Sequence, residues 1–172
     1  MELFDALDKE GNFLGYDLVR GEKIPKGVYH RIVCIYTINP EGKILLTLRH
    51  PEKTFGNMWE ITAGSVVKGE DKHRAAQREL YEETGIDAPL SRIQFLFEHA
   101  EDYSIWSSYI LFLNHEPTIR YQDKETIDHR WVSLQELESE MVETSFPRHL
   151  ITRFYQQKEF VRKRLNEAGF VL

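Results

Sequence analysis

The stretch that decides the fold runs from Gly64 to Ile86 and reads GSVVKGEDKHRAAQRELYEETGI. It places Glu79, Glu82 and Glu83 within five consecutive positions. Since residues three or four apart are neighbours on an α-helix, Glu79 is expected to lie beside both of the others. Exposed like charges at this spacing destabilise a helix by roughly 0.2–0.5 kcal/mol per pair. The clustered carboxylates therefore suit hard cations such as magnesium, manganese or calcium, rather than zinc or copper.

The residues around this cluster predict a helix that follows a strand (59–63) and a glycine loop (64–69). Glu70 and Asp71 place negative charge in the expected first turn, where the helix dipole favours it. Gly85 suits the left-handed residue that follows a helix end. We expect apolar side chains of the helix to face the core and charged ones to face away. The inward set is Ala75, Ala76 and Leu80, and the outward set is Arg78, Glu79, Glu82 and Glu83.

The order of fixed residues in this stretch resembles a complete Nudix box. The matching positions are Gly64, Glu70, Arg78-Glu79-Leu80, Glu82-Glu83 and Gly85-Ile86, with no insertion. The order of strand, glycine loop and helix is also similar to that family, whose fold is a mixed sheet between helices. A solvated acidic helix is the alternative explanation of the charges, but charge alone does not produce the ordered glycines and arginine.

The resemblance implies a hydrolase that cleaves a nucleoside diphosphate linked to another group. Water attacks a phosphorus atom, and magnesium or manganese ions offset the charge that develops on the phosphate oxygens. The metal ligands that the resemblance assigns are Glu79, Glu82 and Glu83, and the residues expected to assist catalysis are Glu82, Glu70 and Arg78. Arg78 is expected to orient a glutamate by charge-assisted hydrogen bonding. The carbonyl of Ala63 or Gly64 is expected to complete the metal shell.

The general base remains open among three carboxylates of a later polar loop, Asp123, Glu125 and Asp128, with Glu98 and Glu101 as secondary candidates. Glu125 is our choice, because in several members of the family a glutamate on a later loop activates water. Arg49 and Lys53 are candidates for binding substrate phosphate, because an arginine fork matches phosphate oxygens and lysine supplies a point charge. A solubilising surface loop is the alternative for both.

Some remaining aromatic and sulfur-containing side chains have a functional and a structural interpretation. The aromatic candidates for stacking on a base are Phe55, Trp59, Tyr103 and Trp106, with core packing as the alternative. Cys34 lies in an apolar run, which predicts a buried and inert thiol.

The N-terminal part looks similar to the branch of the family that contains isopentenyl diphosphate isomerase. The shared features are a leading hairpin rich in Asp and Gly, His30 before a core strand, and Arg49 with Lys53 ahead of a tryptophan. Isomerisation is therefore the alternative reaction. That enzyme needs a cysteine just before the box glycine, where this chain has Ala63, so hydrolysis is favoured. A Nudix domain that only senses ligands is the third interpretation, although sensors often lose box glutamates and this box keeps all of them.

Composition favours a single domain over residues 1–172, with a hairpin-like lead (1–27), the box (64–86) and C-terminal helices (133–169). The net charge of −6 argues against binding a nucleic-acid duplex, which relies on basic surface. No stretch reaches the length of a membrane span, and a lone cysteine fits a reducing cytoplasm. The expected partner is a small-molecule diphosphate, and a homodimer is an open expectation because dimers are common among relatives.

The rest of the chain alternates strand and helix signals. Further strands are predicted at 28–38, 43–49, 93–98, 107–113 and 130–132, after a hairpin over 2–20. An acidic loop is expected between 98 and 107, and a long polar loop over 115–128. Ser133 with Glu136 forms a capping-box signal, and a final helix ends before Gly169. Mixed strands with an inserted helix and terminal helices imply an α/β fold, an α/β/α sandwich with a mixed sheet.

Overall fold

The computed structural model of the chain describes residues 1–142 and 144–170. The strands are β1 (Leu3–Leu7), β2 (Phe13–Val19), β3 (His30–Ile38), β4 (Ile44–Arg49), β5 (Trp59–Glu60), β6 (Ala63–Ser65), β7 (Gln94–Glu101), β8 (Ser104–Phe112) and β9 (Thr126–Val132). The helices are α1 (Lys72–Thr84), α2 (Leu134–Glu140) and α3 (Arg148–Glu167), and a short 3-10 turn (Leu90–Arg92) precedes β7.

Strand β3 lies at the centre of a mixed sheet that has seven strands within the described residues. The main path runs β5-β4-β3-β8-β7, and β6 and β9 pair with β3 and β4. β3 and β8 are parallel from His30 opposite Ser104 to Ile38 opposite Phe112, whereas the other pairs are antiparallel. β1 and β2 form the predicted hairpin as a separate two-stranded sheet.

Helices cover both faces of the main sheet. Successive side chains of β3 point to opposite sides, and both sets are buried from Val33 onward, so each face needs a helical layer to cover it. The core under α1 includes Val33, Ile35, Ala75, Ala76 and Leu80. The core under α2 and α3 includes Cys34, Tyr36, Ile38, Leu137, Phe154 and Val161. This arrangement confirms the predicted α/β/α sandwich with a mixed sheet.

The run 59–63 is two strands rather than one. β5 pairs with β4, and β6 pairs with β3, so the chain changes partner at Ile61 and Thr62. Thr62 nevertheless accepts a backbone hydrogen bond from Ile35, which carries the chain across the change. The break could not be predicted, because this short run contains no turn residue.

Two predicted loops are partly strand. The expected acidic loop between 98 and 107 is mostly extended, because β7 continues to Glu101 and β8 begins at Ser104. The long polar loop ends before Thr126, where β9 pairs with β4. A strand end with polar side chains resembles a loop in the sequence when the partners of those side chains lie elsewhere in the chain. Glu98, for example, accepts hydrogen bonds from Arg31 and Lys72.

Helix ends follow the local signals with one correction. Asp71 is the N-cap of α1 rather than part of its first turn, and its carboxylate accepts hydrogen bonds from the backbone of His73 and Arg74. Ser133 and Glu136 form the predicted capping box of α2. Gly85 ends α1 with φ of 71°, as expected for the left-handed residue after a helix. Among the described residues, no helix is long and apolar enough to cross a membrane.

Candidate active site

Most of the predicted site residues line one cleft of about 460 Å³. These residues are Arg49, Lys53, Ala63, Gly64, Arg78, Glu79, Glu82 and Glu125. They come from the end of β4 and its following loop, from β6, from α1 and from the loop before β9. The fold therefore brings together four segments that span residues 49 to 125 of the sequence.

Gly64 allows the sheet to contact the acidic face of α1. A Cβ atom at this position would collide with the carboxylate of Glu79. β6 is fixed by its pairing with β3, where Gly64 lies opposite Val33. The box begins with glycine because any side chain there would displace Glu79 from the cleft.

Arg78 holds the carboxylates of the box in place. Its Nη1 donates to Glu79 at 2.7 Å and to Glu82 at 3.1 Å. Its Nη2 donates to the carbonyl of Ser65 at 3.1 Å, which ties α1 to the end of β6. Hydrogen bonds to Glu70 and the neighbouring glutamate charges raise the pKa of Arg78, although burial opposes the shift. Arg78 therefore remains charged and orients two of the three box glutamates.

Glu70 lies behind Arg78 rather than in the cleft. It accepts a two-fold hydrogen bond from Nε and Nη2 of Arg78, at 2.8 and 2.9 Å, and one from the backbone of Val67. Such a bidentate pair fixes the plane of the guanidinium. The geometry supports a positioning role for Glu70 through Arg78, and its predicted part in catalysis stays a prediction.

Glu83 faces inward, so the expectation that it turns away from the core is wrong. Its residue surface is 1% exposed, and its Oε2 has no hydrogen-bond partner among the described residues. Burial raises its pKa well above the usual value, and the charges of Glu60 and Glu79 add to the effect. The charged face of α1 is therefore wider than its solvent-exposed face.

Glu60 is a site residue that the sequence analysis missed. It is 4% exposed, it pairs with Arg49, and its Oε1 has no described partner. Burial raises its pKa to about 7, although Arg49 lowers it. The signal in the sequence was a single glutamate within the apolar run Trp59–Ile61. In the β4–β5 pairing Glu60 lies opposite Thr47, two positions before Arg49 on β4.

The two phosphate-binding candidates are paired with carboxylates. Arg49 binds Glu60, and Lys53 binds Glu125. Of the three loop carboxylates considered as the base, Glu125 lines the cleft, whereas Asp123 and Asp128 are not part of its lining. The geometry therefore favours Glu125 over the other two, and its predicted role as the base remains untested.

The residues present fit a divalent cation. Glu60 and Glu83 are buried and Glu79 is half-buried, and the pKa of each is raised, above all by burial. Two of their oxygens, Oε1 of Glu60 and Oε2 of Glu83, lack partners. Buried carboxylate oxygens without partners are unfavourable unless a cation or a proton joins them.

In the described part of the chain, no three carboxylate, imidazole or thiol groups are already arranged as a metal site. The reason is that Arg78 holds Glu79 and Glu82 by hydrogen bonds, while Glu83 lies deeper. The oxygen-rich donor set suits magnesium or manganese.

Comparisons with known proteins agree with this architecture. The family model described as the NUDIX domain matches residues 28–154. An uncharacterized Nudix hydrolase of Listeria monocytogenes is 33% identical over 147 residues, covering 81% of this chain and 84% of that protein. An isopentenyl-diphosphate Delta-isomerase of Halorhodospira halophila is 32% identical over 60% of each chain, which is consistent with the branch resemblance. The crystal structure of DR0079 from Deinococcus radiodurans has a TM-score of 0.73 at 19% identity, over 90% of this chain and 99% of that one.

Proposed function

Because the chain belongs to the Nudix family and is a Nudix-type pyrophosphohydrolase, we propose that it hydrolyses a nucleoside diphosphate linked to another group, with magnesium or manganese. The observation that supports this most strongly is the composition of the cleft. Glu79, Glu82 and Glu125 line it beside Arg49 and Lys53. Carboxylates and cations thus meet where a diphosphate and its counterions would bind.

The metal would be held by Glu79, Glu82 and Glu83, with Glu60 as an additional buried carboxylate beside them. When bound, the ion supplies charge compensation to the phosphate oxygens and acidifies water. Arg78 keeps Glu79 and Glu82 oriented, and Glu70 keeps Arg78 oriented.

Two basic side chains of the cleft, Arg49 and Lys53, also have a role in the proposed reaction. Arg49 and Lys53 bind the substrate phosphates, and the carboxylate partner of Lys53 is Glu125. When phosphate takes up Lys53, Glu125 loses its ion pair and becomes available to accept a proton from water. Pairing between Lys53 and Glu125 therefore keeps the base occupied until substrate binds.

A specific observation argues against isomerisation. Ala63 stands before the box glycine, where the isomerase branch needs a cysteine. Cys34 lies opposite Ala63 in the β3–β6 pairing, but it is buried, and burial raises the pKa of its thiol to about 12. This chain thus places no reactive thiol in the described cleft.

The test is hydrolysis of a mixed panel of nucleoside diphosphate compounds with magnesium or manganese, measured as released phosphate after phosphatase treatment. Glu82→Gln and Glu83→Gln should each lower kcat/KM at least about a hundredfold, because lost transition-state charge stabilisation is typically worth about 3 kcal/mol. Glu125→Gln should lower kcat more than it changes KM. Unchanged turnover in both box variants would refute the metal assignment, and isomerisation of isopentenyl diphosphate without hydrolysis would favour the other reaction.

A further inference from the structure

A second cavity adjoins the cleft at β6. Its volume is about 190 Å³, and Arg49, Ala63, Gly64 and Ser65 line both spaces. A molecule with its diphosphate in the cleft can therefore extend past β6 into this cavity. The remaining walls that matter for its chemistry are Phe55, Trp106, His149 and Arg153.

Arg153 is a buried cation that has no anionic partner among the described residues. It is 4% exposed, and its guanidinium carbon lies 3.0 Å from the ring centre of Trp106. Its Nε is buried without a hydrogen bond, and Arg153 makes no hydrogen bond or ion pair with any described residue. The charge of Glu101 acts on Arg153 from beyond ion-pair distance, and burial lowers the pKa of Arg153 to about 10.

The other charges around the cavity do not compensate Arg153. Arg49 and Glu60 also line it, but they are paired with each other. Burial, followed by the positive charges of Arg153 and Arg49, lowers the pKa of His149 to about 4, so its ring is neutral at neutral pH. The lining therefore carries one excess positive charge. In the cleft beside it the charged side chains balance, with four acidic and four basic residues in the lining.

We propose that this cavity binds an anionic group, a phosphate or a carboxylate, on the part of the substrate that is linked to the diphosphate, and that Arg153 is the specificity-determining residue. A buried cation is unfavourable without a partner, and an arginine fork binds either anion through two parallel hydrogen bonds. Trp106 holds the guanidinium plane while leaving its edge free for such bonds. This inference rests on the proposed function, because it assumes that the diphosphate lies in the cleft.

The experiment compares substrates that differ by one charged group: UDP-glucuronate against UDP-glucose for a carboxylate, and NADPH against NADH for a phosphate. The wild-type chain should prefer the charged member of at least one pair about tenfold or more in kcat/KM. Arg153→Met should bring that preference close to unity and change kcat/KM for the neutral member less than about threefold. Arg153→Lys, which keeps the charge but loses the fork, should retain part of the preference.

Lys163→Met is the matched control, because Lys163 lies on the same helix and its side chain is 74% exposed. It removes the same charge and should leave the preference unchanged. Thermal unfolding of each variant shows whether it is folded. If Arg153→Met does not fold, Arg153→Lys is the deciding variant, and a reduced preference in it supports the proposal. An equal preference in wild type and the folded Arg153 variants, or no preference in wild type, overturns the proposal.

A binding measurement separates this inference from the proposed hydrolysis. The same four compounds are titrated into EDTA-treated protein by calorimetry, so that no turnover is needed. Selective binding of a charged member that depends on Arg153, without hydrolysis when magnesium or manganese is added, supports the subsite and refutes the proposed reaction. Hydrolysis of both members at equal rates refutes the subsite and leaves the reaction standing.

Discussion

Glu60 and Glu83 are the carboxylates of the site whose charge is least compensated by neighbouring groups. Both are nearly fully buried, and each has one oxygen without a described partner. Burial raises the pKa of both, and the charge of Glu60 raises the pKa of Glu83 further. Arg49 offsets this charge only on one side of Glu60. In the folded protein without a cation, the ionised forms of both residues are therefore energetically unfavourable.

The stability of the metal-free protein should depend on pH through Glu60. Its folded pKa of about 7 lies above the usual 4.5, so the folded state binds more protons between these values. Stability from this group is complete below about pH 4.5 and is lost as pH rises through about 7. The free energy of unfolding of Glu60→Gln, taken relative to wild type, should rise by roughly 1–3 kcal/mol as the pH is raised from 4.5 to 7.5. Urea unfolding in the presence of EDTA measures this difference.

Titrating groups far from Glu60 cancel in the difference between the two proteins. The ion pair with Arg49 is already part of the folded pKa of Glu60. Glu83 adds to the difference in the same direction, because its pKa is raised by the charge of Glu60, which the substitution removes. A difference that stays flat, or that falls as pH rises, contradicts the burial of an ionisable Glu60.

Gly64→Ala should damage the site more than the fold. The added Cβ collides with the carboxylate of Glu79, and relieving such overpacking costs about 1–3 kcal/mol. The rate of hydrolysis should fall at least about tenfold, because Glu79 leaves its position beside Arg78. Urea unfolding and steady-state kinetics measure the two effects.

A second substitution tests that explanation. In Gly64→Ala with Glu79→Asp, the shorter side chain makes room for the methyl group. Stability should recover in part, whereas the rate should not. Additive losses of stability in the double variant would mean that the two side chains do not collide.

At the residue level, the clustering of the glutamates on α1 was predictable, but the direction in which each of them points was not. Glu79 and Glu82 line the cleft as expected, whereas Glu83 is buried. Charge is a poor guide to exposure where carboxylates cluster, because a buried site can hold some of them. Glu60 was missed because one glutamate in a two-residue strand has no spacing to interpret.

At the scale of elements, α1 separates its stabilising end from its reactive end. Asp71 caps the beginning of the helix, while Glu79, Glu82 and Glu83 occupy its last two turns. The last turn is held by Gly85, whose backbone donates to Tyr81. Changes at the two ends should therefore affect different properties.

Asp71→Ala should lower the free energy of unfolding by about 1 kcal/mol, the usual cost of losing an N-cap. Its carboxylate accepts two backbone hydrogen bonds that alanine cannot accept. The value of kcat should remain within about threefold of wild type, because the capped end lies about two turns before Glu79. Ser133→Ala, which removes the cap of α2, is the matched control and should have a similar cost.

The result that would count against this separation is a rate loss of more than tenfold in Asp71→Ala with unchanged stability. Such a result would place Asp71 in the chemistry rather than in the helix. Chemical denaturation and the hydrolysis assay on the same preparations distinguish the two.

Elements with a local signal were predictable, and elements that depend on distant partners were less so. The caps of α1 and α2 and the apolar stripe of α3 come from neighbouring residues. The ends of β7 and β8 carry polar side chains whose partners lie elsewhere: Glu98 binds Arg31, and Ser104 contacts His30. A polar strand end that is paired across the sheet looks like a loop in the sequence.

At the scale of the whole molecule, the sheet connects a cleft whose charges balance with a cavity that has an excess positive charge. β6 lies between the cleft and the cavity around Arg153, and its pairing with β3 fixes both relative to the central strand. α3 supplies His149 and Arg153 from the face opposite α1. The overall α/β/α class was predictable from the order of the signals. The parallel pairing of β3 with β8, and the approach of Glu125 to Lys53, were not, because both join segments more than 70 positions apart.

The most direct test of the account is calorimetric titration of manganese into EDTA-treated protein that has been dialysed free of chelator. Wild type should bind manganese, and Glu79→Gln and Glu83→Gln should each weaken binding at least tenfold, the lower end of what loss of a metal-site group costs. Glu159→Gln, on an exposed part of α3, should bind as wild type does. If wild type takes up no manganese or magnesium, or if both box variants bind as tightly as wild type, the carboxylate cluster of α1 is not a metal site and the proposed chemistry is wrong.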